Sequence, residues 1–139
     1  MNEHKAEDLF CQDVREAGGL VIKTRSRFQA GFLDLFVKMP GWVGVFLECK
    51  YEHPRTNGQY PVPLSELQRR SIAEFQAVGQ PAGWLLFTAD RSDLRWSLLR
   101  VVAGSSYGSI PRQSGPWATR RRGGRFDIQY LLANVTRGE

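Results

Sequence analysis

The chain has 139 residues, 42% of them hydrophobic, and a formal net charge of +5. This length supports one hydrophobic core and leaves too few residues for two domains of ordinary size. No run approaches the roughly 18 apolar residues of a membrane-spanning helix, and the charged N-terminal residues do not resemble a secretory signal. We therefore expect a cytoplasmic protein without a membrane segment.

The first predicted elements are a helix over residues 3–17 and a strand in "LVIKTRSR". Apolar residues recur at three- and four-residue spacing in the helix, and a glycine pair follows as a stop signal. In the strand and its extension, Lys23, Arg25 and Arg27 alternate, so we expect them to share one face. Three cations on one face can follow a row of phosphates.

Two β-rich runs, "FLDLFVKM" and "WVGVFLECKYE", are separated by Pro40-Gly41 and predict a β-hairpin. Period-two alternation puts Glu48 and Lys50 on one face of the second strand. Asp34 lies on the first strand, and paired strands are about 5 Å apart, so we expect Asp34 beside Glu48. Two adjacent carboxylates repel each other, and a divalent cation that prefers hard oxygen ligands, such as Mg²⁺, relieves that repulsion.

Two cysteines, Cys11 and Cys49, fall in the predicted first helix and in the second strand of the hairpin. Neither has a second cysteine or a histidine at the spacing of metal ligands. A disulfide or a zinc site is therefore not expected, and both residues are predicted to be buried free thiols.

A loop is predicted in "HPRTNGQYPVP", and the clearest helix follows in "LSELQRRSIAEFQAVG". Ser65 and Gln68 match the capping box, and Gly79 is placed to end the helix. Gln68 also falls on the apolar face with Ile72 and Phe75, so it is either a capping residue or directed inward. "AGWLLFTAD" indicates a buried strand. Beyond it "LRWSLLRVV" and "RFDIQYLLANV" each fit a strand or a short helix.

The positive charge is concentrated near the C-terminus. Residues 94–126 contain seven arginines and no Asp or Glu, which more than accounts for the net charge. A localised arginine excess is typical of proteins that bind a polyanion, nucleic acid first, although a solvated tail is the alternative. The candidate phosphate contacts in this segment are Arg120, Arg121, Arg122 and Arg125.

The pair of motifs "GFLDLF" and "FLECK" resembles the PD-(D/E)XK nuclease superfamily. Asp34, Glu48 and Lys50 stand at the motif positions, and Leu33 replaces the family's proline. The resemblance covers about residues 5–88, because the family core is also a leading helix, a three-strand meander, a helix and a further strand. It implies a restriction-endonuclease-like α/β fold, in which a central mixed sheet is flanked by helices.

Within that superfamily, the chain is most similar to the VRR-NUC and archaeal Holliday-junction-resolvase-like branches. Those proteins carry a glutamate on the first helix eleven residues before a glycine, as Glu7 and Gly18 do here. Their later helix opens with an "LSxxQ" pattern, which is matched by Leu64, Ser65 and Gln68. The alternatives are a solvated helix residue for Glu7 and a purely capping role for Gln68.

The resemblance implies a set of site residues around Mg²⁺, as one or two ions, with Mn²⁺ as an alternative and no small-molecule cofactor. Glu3 is a possible substitute for Glu7 as a metal ligand. The expected catalytic residues are Asp34, Glu48, Lys50 and Gln68. The expected metal ligands are Glu7, Asp34, Glu48 and the main-chain carbonyl of Cys49.

The implied function is that of a Mg²⁺-dependent DNA endonuclease that hydrolyses phosphodiester bonds with metal-activated water. It would form a single domain over 1–139, with a core over about 3–90 and a basic, partly loop-like extension over 91–139. Selectivity for a Holliday junction or other branched DNA would suit recombination, repair or phage DNA processing, and would require a homodimer for two symmetric cuts. The alternatives are a flap, nicking or restriction-like nuclease on ordinary duplex, and a non-catalytic nucleic-acid-binding module. A carboxylate pair without metal would repel DNA, which argues against the module.

Overall fold

The computed structural model describes residues 3–24, 33–52, 59–60, 64–89, 99–104, 110–111, 117–120 and 125–136. Within these residues, no helix combines the length and the apolar character needed to cross a bilayer. The elements in chain order are α1 (Glu3–Glu16), β1 (Leu20–Lys23), β2 (Leu35–Lys38), β3 (Val45–Tyr51), β4 (Gln59–Tyr60), α2 (Glu66–Ala77), β5 (Ala82–Ala89), β6 (Leu99–Gly104), β7 (Ile110–Pro111), β8 (Trp117–Arg120) and α3 (Ile128–Thr136).

One mixed sheet has the strand order β1-β2-β3-β5-β6-β8. Strands β1, β2 and β3 form an antiparallel meander, and β5 pairs with β3 in parallel after the α2 connection. Strands β6 and β8 continue the sheet antiparallel, and β4 pairs separately with β7. The predicted mixed α/β fold, with a meander, a helix and a further strand, is therefore confirmed.

Both long helices end where a glycine adopts a positive φ, which costs little without a Cβ atom. Gly18 has a φ of 86° and Gly79 has a φ of 81°. After α1, the Gly19 N–H donates to the carbonyl oxygen of Val14 at 2.9 Å, which satisfies a carbonyl at the helix end. The helix predicted over 3–17 thus ends one residue earlier than expected.

The sheet separates two apolar clusters. Helices α1 and α3 cover one face, and α2 covers the other. Leu47 and Cys49 of β3 are buried in the α1 cluster, whereas Glu48 and Lys50 alternate with them and point to the α2 face. Trp84 of β5, which pairs with Glu48 in register, lies in the α2 cluster.

The C-terminal part of the chain extends the same sheet and the same core. Its strands β6 and β8 pair in sequence beyond β5, and Phe126, Ile128 and Leu131 join the α1 cluster. The loop predicted over residues 53–63 contains β4, because a two-residue strand that pairs with a distant segment leaves little local periodicity.

Candidate active site

The register between β2 and β3 brings two carboxylates together. Leu35 pairs with Leu47 and Phe36 with Phe46, so the position before Leu35 faces Glu48. Asp34 occupies that position, and its Oδ2 accepts a hydrogen bond from the main-chain N–H of Cys49 at 3.2 Å. Asp34 is thereby held against the strand that carries Glu48.

Glu48 is a charged side chain inside the protein, with a relative exposure of 2%. Its Oε1 atom accepts a 2.8 Å hydrogen bond from Nε2 of Gln68 and lies 3.4 Å from Nζ of Lys50. Its Oε2 atom is buried and finds no hydrogen-bond partner among the residues that the structure describes. Leaving a buried carboxylate oxygen unsatisfied is costly, so this atom fits an additional ligand.

Burial, first of all, and then the adjacent Asp34 carboxylate raise the pKa of Glu48 to about 8. Lys50 opposes part of this shift. A carboxyl group with this pKa holds a proton at neutral pH unless a cation replaces that proton. The charge of Glu48 therefore depends on whether a cation is bound beside it.

Glu7 approaches the same place from α1. Its side chain is 1% exposed, and one of its oxygens, one Asp34 oxygen and the Cys49 Sγ atom lie within 4.8 Å of one another. Glu3, the alternative from the sequence, is exposed one turn earlier. Lys23 places its Nζ atom 3.9 Å from Oε1 of Glu7. The structure thus brings Glu7, and not Glu3, beside Asp34.

The thiol of Cys49 is a poor ligand for a hard cation. Burial raises the pKa of Cys49 well above its ordinary value, and burial likewise raises the pKa of Cys11 to about 11. Both cysteines are buried and free, as the sequence predicted. A neutral thiol does not bind Mg²⁺, so the main-chain carbonyl of Cys49 stays the predicted ligand from this residue.

Two further carboxylates of the described residues thus lie close to Asp34, where two strands and α1 meet. They belong to Glu7 and Glu48, and Glu48 has a buried oxygen with no hydrogen-bond partner among the described residues. Carboxylate oxygens are the ligands of Mg²⁺ and Mn²⁺. The residues present fit a divalent cation.

Gln68 fulfils both roles that the sequence left open. The N–H of Ser65 donates to Oε1 of Gln68 at 2.9 Å, and the N–H of Gln68 donates to Oγ of Ser65 at 3.1 Å. The Nε2 group of the same side chain donates to Glu48. A capping residue of α2 is therefore also a direct contact of the candidate site.

The structure pairs some of the predicted phosphate contacts with carboxylates. Nε of Arg120 lies 2.8 Å from Oδ2 of the buried Asp13, so this guanidinium is not a free surface cation. Nε of Arg125 lies 3.0 Å from Oε2 of Glu16 at the surface, and Lys23 is paired with α1 carboxylates. Four further candidates lie outside the described residues, namely Arg25, Arg27, Arg121 and Arg122.

Strand β5 adds two polar atoms that the sequence interpretation passed over. Nε1 of Trp84 and Oγ1 of Thr88 are buried without a hydrogen-bond partner in the described part of the chain. Alternation along β5 puts both residues on the face that carries Glu48. The detectable signal was a threonine and an indole N–H inside an otherwise apolar strand.

The sequence matches no protein-family model and no curated protein sequence. Among solved structures, the chain is similar to one described as "VRR_NUC domain", with 21% sequence identity and a TM-score of 0.47. The similarity covers 60% of this chain and 82% of that chain.

Proposed function

We propose that the protein is a divalent-metal-dependent deoxyribonuclease that hydrolyses internal phosphodiester bonds of DNA. The observation that carries this proposal is the position of Asp34 close to both Glu7 and Glu48, with the unpartnered Oε2 on Glu48 and with Lys50 beside Glu48. A purely structural cluster would bury partnered charges, whereas this one leaves a carboxylate oxygen without a donor among the residues that the structure describes.

Glu7, Asp34, Glu48 and the Cys49 carbonyl would hold Mg²⁺, with Mn²⁺ as a substitute. When bound, the cation would lower the pKa of water and neutralise charge on the phosphate under attack. Asp34 is oriented for this task by the Cys49 N–H, and Glu48 by Gln68. The ligands are thus held in place before the cation arrives.

Lys50 is the candidate for handling the attacking water. Its Nζ atom lies 3.4 Å from Oε1 of Glu48, and its side chain is partly exposed, so it reaches both the carboxylates and solvent. The ammonium group can hold the water by a hydrogen bond and stabilise negative charge on the phosphate. Gln68 supports this arrangement by occupying the same Glu48 oxygen.

DNA binding is proposed to use Lys23 beside the carboxylates and the arginines near the C-terminus other than Arg120. The net charge of +5 favours a polyanion as substrate. Action on branched DNA as a homodimer is the narrower proposal, because two symmetric cuts require two active sites. The single domain over 1–139 is proposed to contain all of these groups.

One panel tests the proposal. Labelled duplex, flap, Y-shaped, four-way and single-stranded DNA would be incubated with the protein in Mg²⁺, Mn²⁺ or EDTA. We expect cleavage with either cation, none in EDTA, and the highest rate on branched DNA. Equal cleavage of linear duplex would favour a flap, nicking or restriction-like enzyme, and binding without cleavage would favour the non-catalytic module.

A further inference from the structure

Two hydrogen-bond systems meet at the side-chain amide of Gln68. One is the capping box at the start of α2, in which Oε1 of Gln68 accepts from the main-chain N–H of Ser65 at 2.9 Å. The other is the candidate active site, in which Nε2 of Gln68 donates to Oε1 of Glu48 at 2.8 Å. A single side chain therefore links the N-terminus of α2 to a proposed metal ligand.

The two contacts require the same orientation of the amide. A main-chain N–H can only donate, so the atom of Gln68 that faces Ser65 must be the carbonyl oxygen. Oε1 of Glu48 also lies 3.4 Å from the Lys50 ammonium, which can only donate, so this oxygen is an acceptor and the atom of Gln68 that faces it is the NH₂ group. Rotating the amide by half a turn would set donor against donor and acceptor against acceptor. Ser65 and Glu48 thus select one of two amide orientations.

The main chain of Ser65 is held in place by the start of α2. Its φ of −69° and ψ of 162° are those of an ordinary N-cap, and its carbonyl oxygen accepts from the N–H of Arg69 at 3.0 Å. Its hydroxyl group accepts from the N–H of Gln68, which closes the reciprocal pair. The position of the Ser65 N–H is therefore determined by the helix end and not by the site.

The orientation of the Gln68 amide affects which oxygen of Glu48 remains available to a cation. Gln68 and Lys50 both contact Oε1, and Oε2 keeps no hydrogen-bond partner within the described ranges. If the amide of Gln68 turned, its carbonyl oxygen would face Oε1 and repel it, so the carboxylate would lose the contact that holds it in this rotation.

We propose that Ser65 is a positioning residue of the active site. Its main-chain N–H sets the polarity of the Gln68 amide, and Gln68 in turn holds Glu48 with Oε2 open toward a divalent cation. The part concerning the cation rests on the proposed function, whereas the chain of hydrogen bonds does not.

A matched pair of variants isolates the N–H group. Ser65→Ala and Ser65→Pro both remove the hydroxyl group, but only Ser65→Pro removes the N–H, and a φ of −69° lies in the range of proline. Mn²⁺ binding by titration calorimetry should be weaker in Ser65→Pro than in Ser65→Ala by roughly five- to tenfold, the effect of one hydrogen bond. Melting temperatures of the two variants control for capping of α2.

A double-mutant cycle tests whether Ser65 acts through Gln68. In the Gln68→Ala background, exchanging Ser65→Ala for Ser65→Pro should not weaken Mn²⁺ binding further, because the amide that the N–H orients is gone. Equal Mn²⁺ affinities of the two folded Ser65 variants, or an undiminished difference between them in the Gln68→Ala background, would overturn the inference and leave the proposed function standing.

Hydrogen exchange of the metal-free protein decides the inference if Ser65→Pro does not fold or the wild type does not bind Mn²⁺. The Ser65 main-chain amide of the wild type should exchange several-fold more slowly than that of Gln68→Ala, because Oε1 of Gln68 protects it. Equal exchange rates would overturn the inference. A wild type that is folded but does not bind Mn²⁺ would instead count against the proposed function.

Discussion

Arg120, the last residue of β8, forms a buried ion pair with Asp13 of α1, and Nε lies 2.8 Å from Oδ2. The exposed fractions of their side chains are 12% and 0%. Asp13 also accepts a hydrogen bond from the N–H of Phe126 at 2.9 Å. The carboxylate thus joins the first helix to the last strand and to the segment that leads into α3.

Removing one member of this pair should destabilise the protein strongly. Arg120→Ala leaves the Asp13 carboxylate buried without the two hydrogen bonds that Arg120 donates, which costs about 3 kcal/mol or more. Urea denaturation measures the loss. The matched control is Arg125→Ala, because Arg125 pairs with Glu16 at the surface and should cost less than about 1 kcal/mol. Similar losses for both variants would show that the buried pair adds nothing.

Substitutions at the candidate site should abolish cleavage without unfolding the protein. Asp34→Asn, Glu48→Gln and Lys50→Ala each remove a charge from the site, and the rate should fall at least about a hundredfold. Circular dichroism and DNA binding in EDTA check that each variant is folded and still binds. Full activity of Glu48→Gln is incompatible with the proposed metal site.

The stability of the metal-free protein should fall as pH rises through about 8. The pKa of Glu48 is about 8 in the folded protein and near its ordinary value of 4.5 in the unfolded chain. Between these pH values Glu48 is protonated in the folded protein and ionised in the unfolded chain. The stabilisation that this proton gives the folded state is therefore complete below pH 4.5 and is lost as the pH rises through about 8.

Denaturation in EDTA at pH 6 and pH 9 measures this dependence. Glu48→Gln carries no titrating group at this position, so its stability should change less between the two pH values than that of the wild type. Added Mn²⁺ should recover stability for the wild type at pH 9, because the cation replaces the proton. Parallel pH profiles of the two proteins would contradict the assignment of this titration to Glu48.

Glu7 and Glu3 offer a matched test on one helix. Glu7 is buried beside Asp34, whereas Glu3 is exposed. Glu7→Gln should weaken Mn²⁺ binding roughly tenfold or more, since it removes a charged ligand, and Glu3→Gln should leave it unchanged. Titration calorimetry measures the Mn²⁺ affinity of both variants. An effect of Glu3→Gln equal to that of Glu7→Gln would mean that only the overall negative charge matters.

Replacing C-terminal arginines by alanine should make DNA affinity less dependent on salt concentration. Each phosphate contact adds about 0.9 to the slope of log affinity against log salt, so Arg121→Ala with Arg122→Ala should flatten the slope by up to about 2. Affinity should fall to a similar degree for all duplex sequences, because phosphate contacts do not read bases. Fluorescence anisotropy at several salt concentrations measures this, and an unchanged slope would exclude both residues from the DNA path.

Local patterns were sufficient for much of the fold. Alternation in β3 put Glu48 and Lys50 on one face, and the turn at Pro40-Gly41 predicted the hairpin that carries them. The capping box at Ser65 was equally visible, because each of these features depends on residues within a few positions of one another. Even the proximity of Asp34 to Glu48 followed from the hairpin, since a short turn restricts the register.

Only the tertiary structure decided which long-range contacts those residues make. The phase of α1 against the sheet selected Glu7 over Glu3, and Gln68 proved to serve the helix cap and Glu48 together. Arg120 looked like one more cation in a basic segment, and its bond to Asp13 spans 107 positions of sequence. A charge pattern records how many cations a segment carries, but burial and pairing depend on what the folded chain places opposite each one.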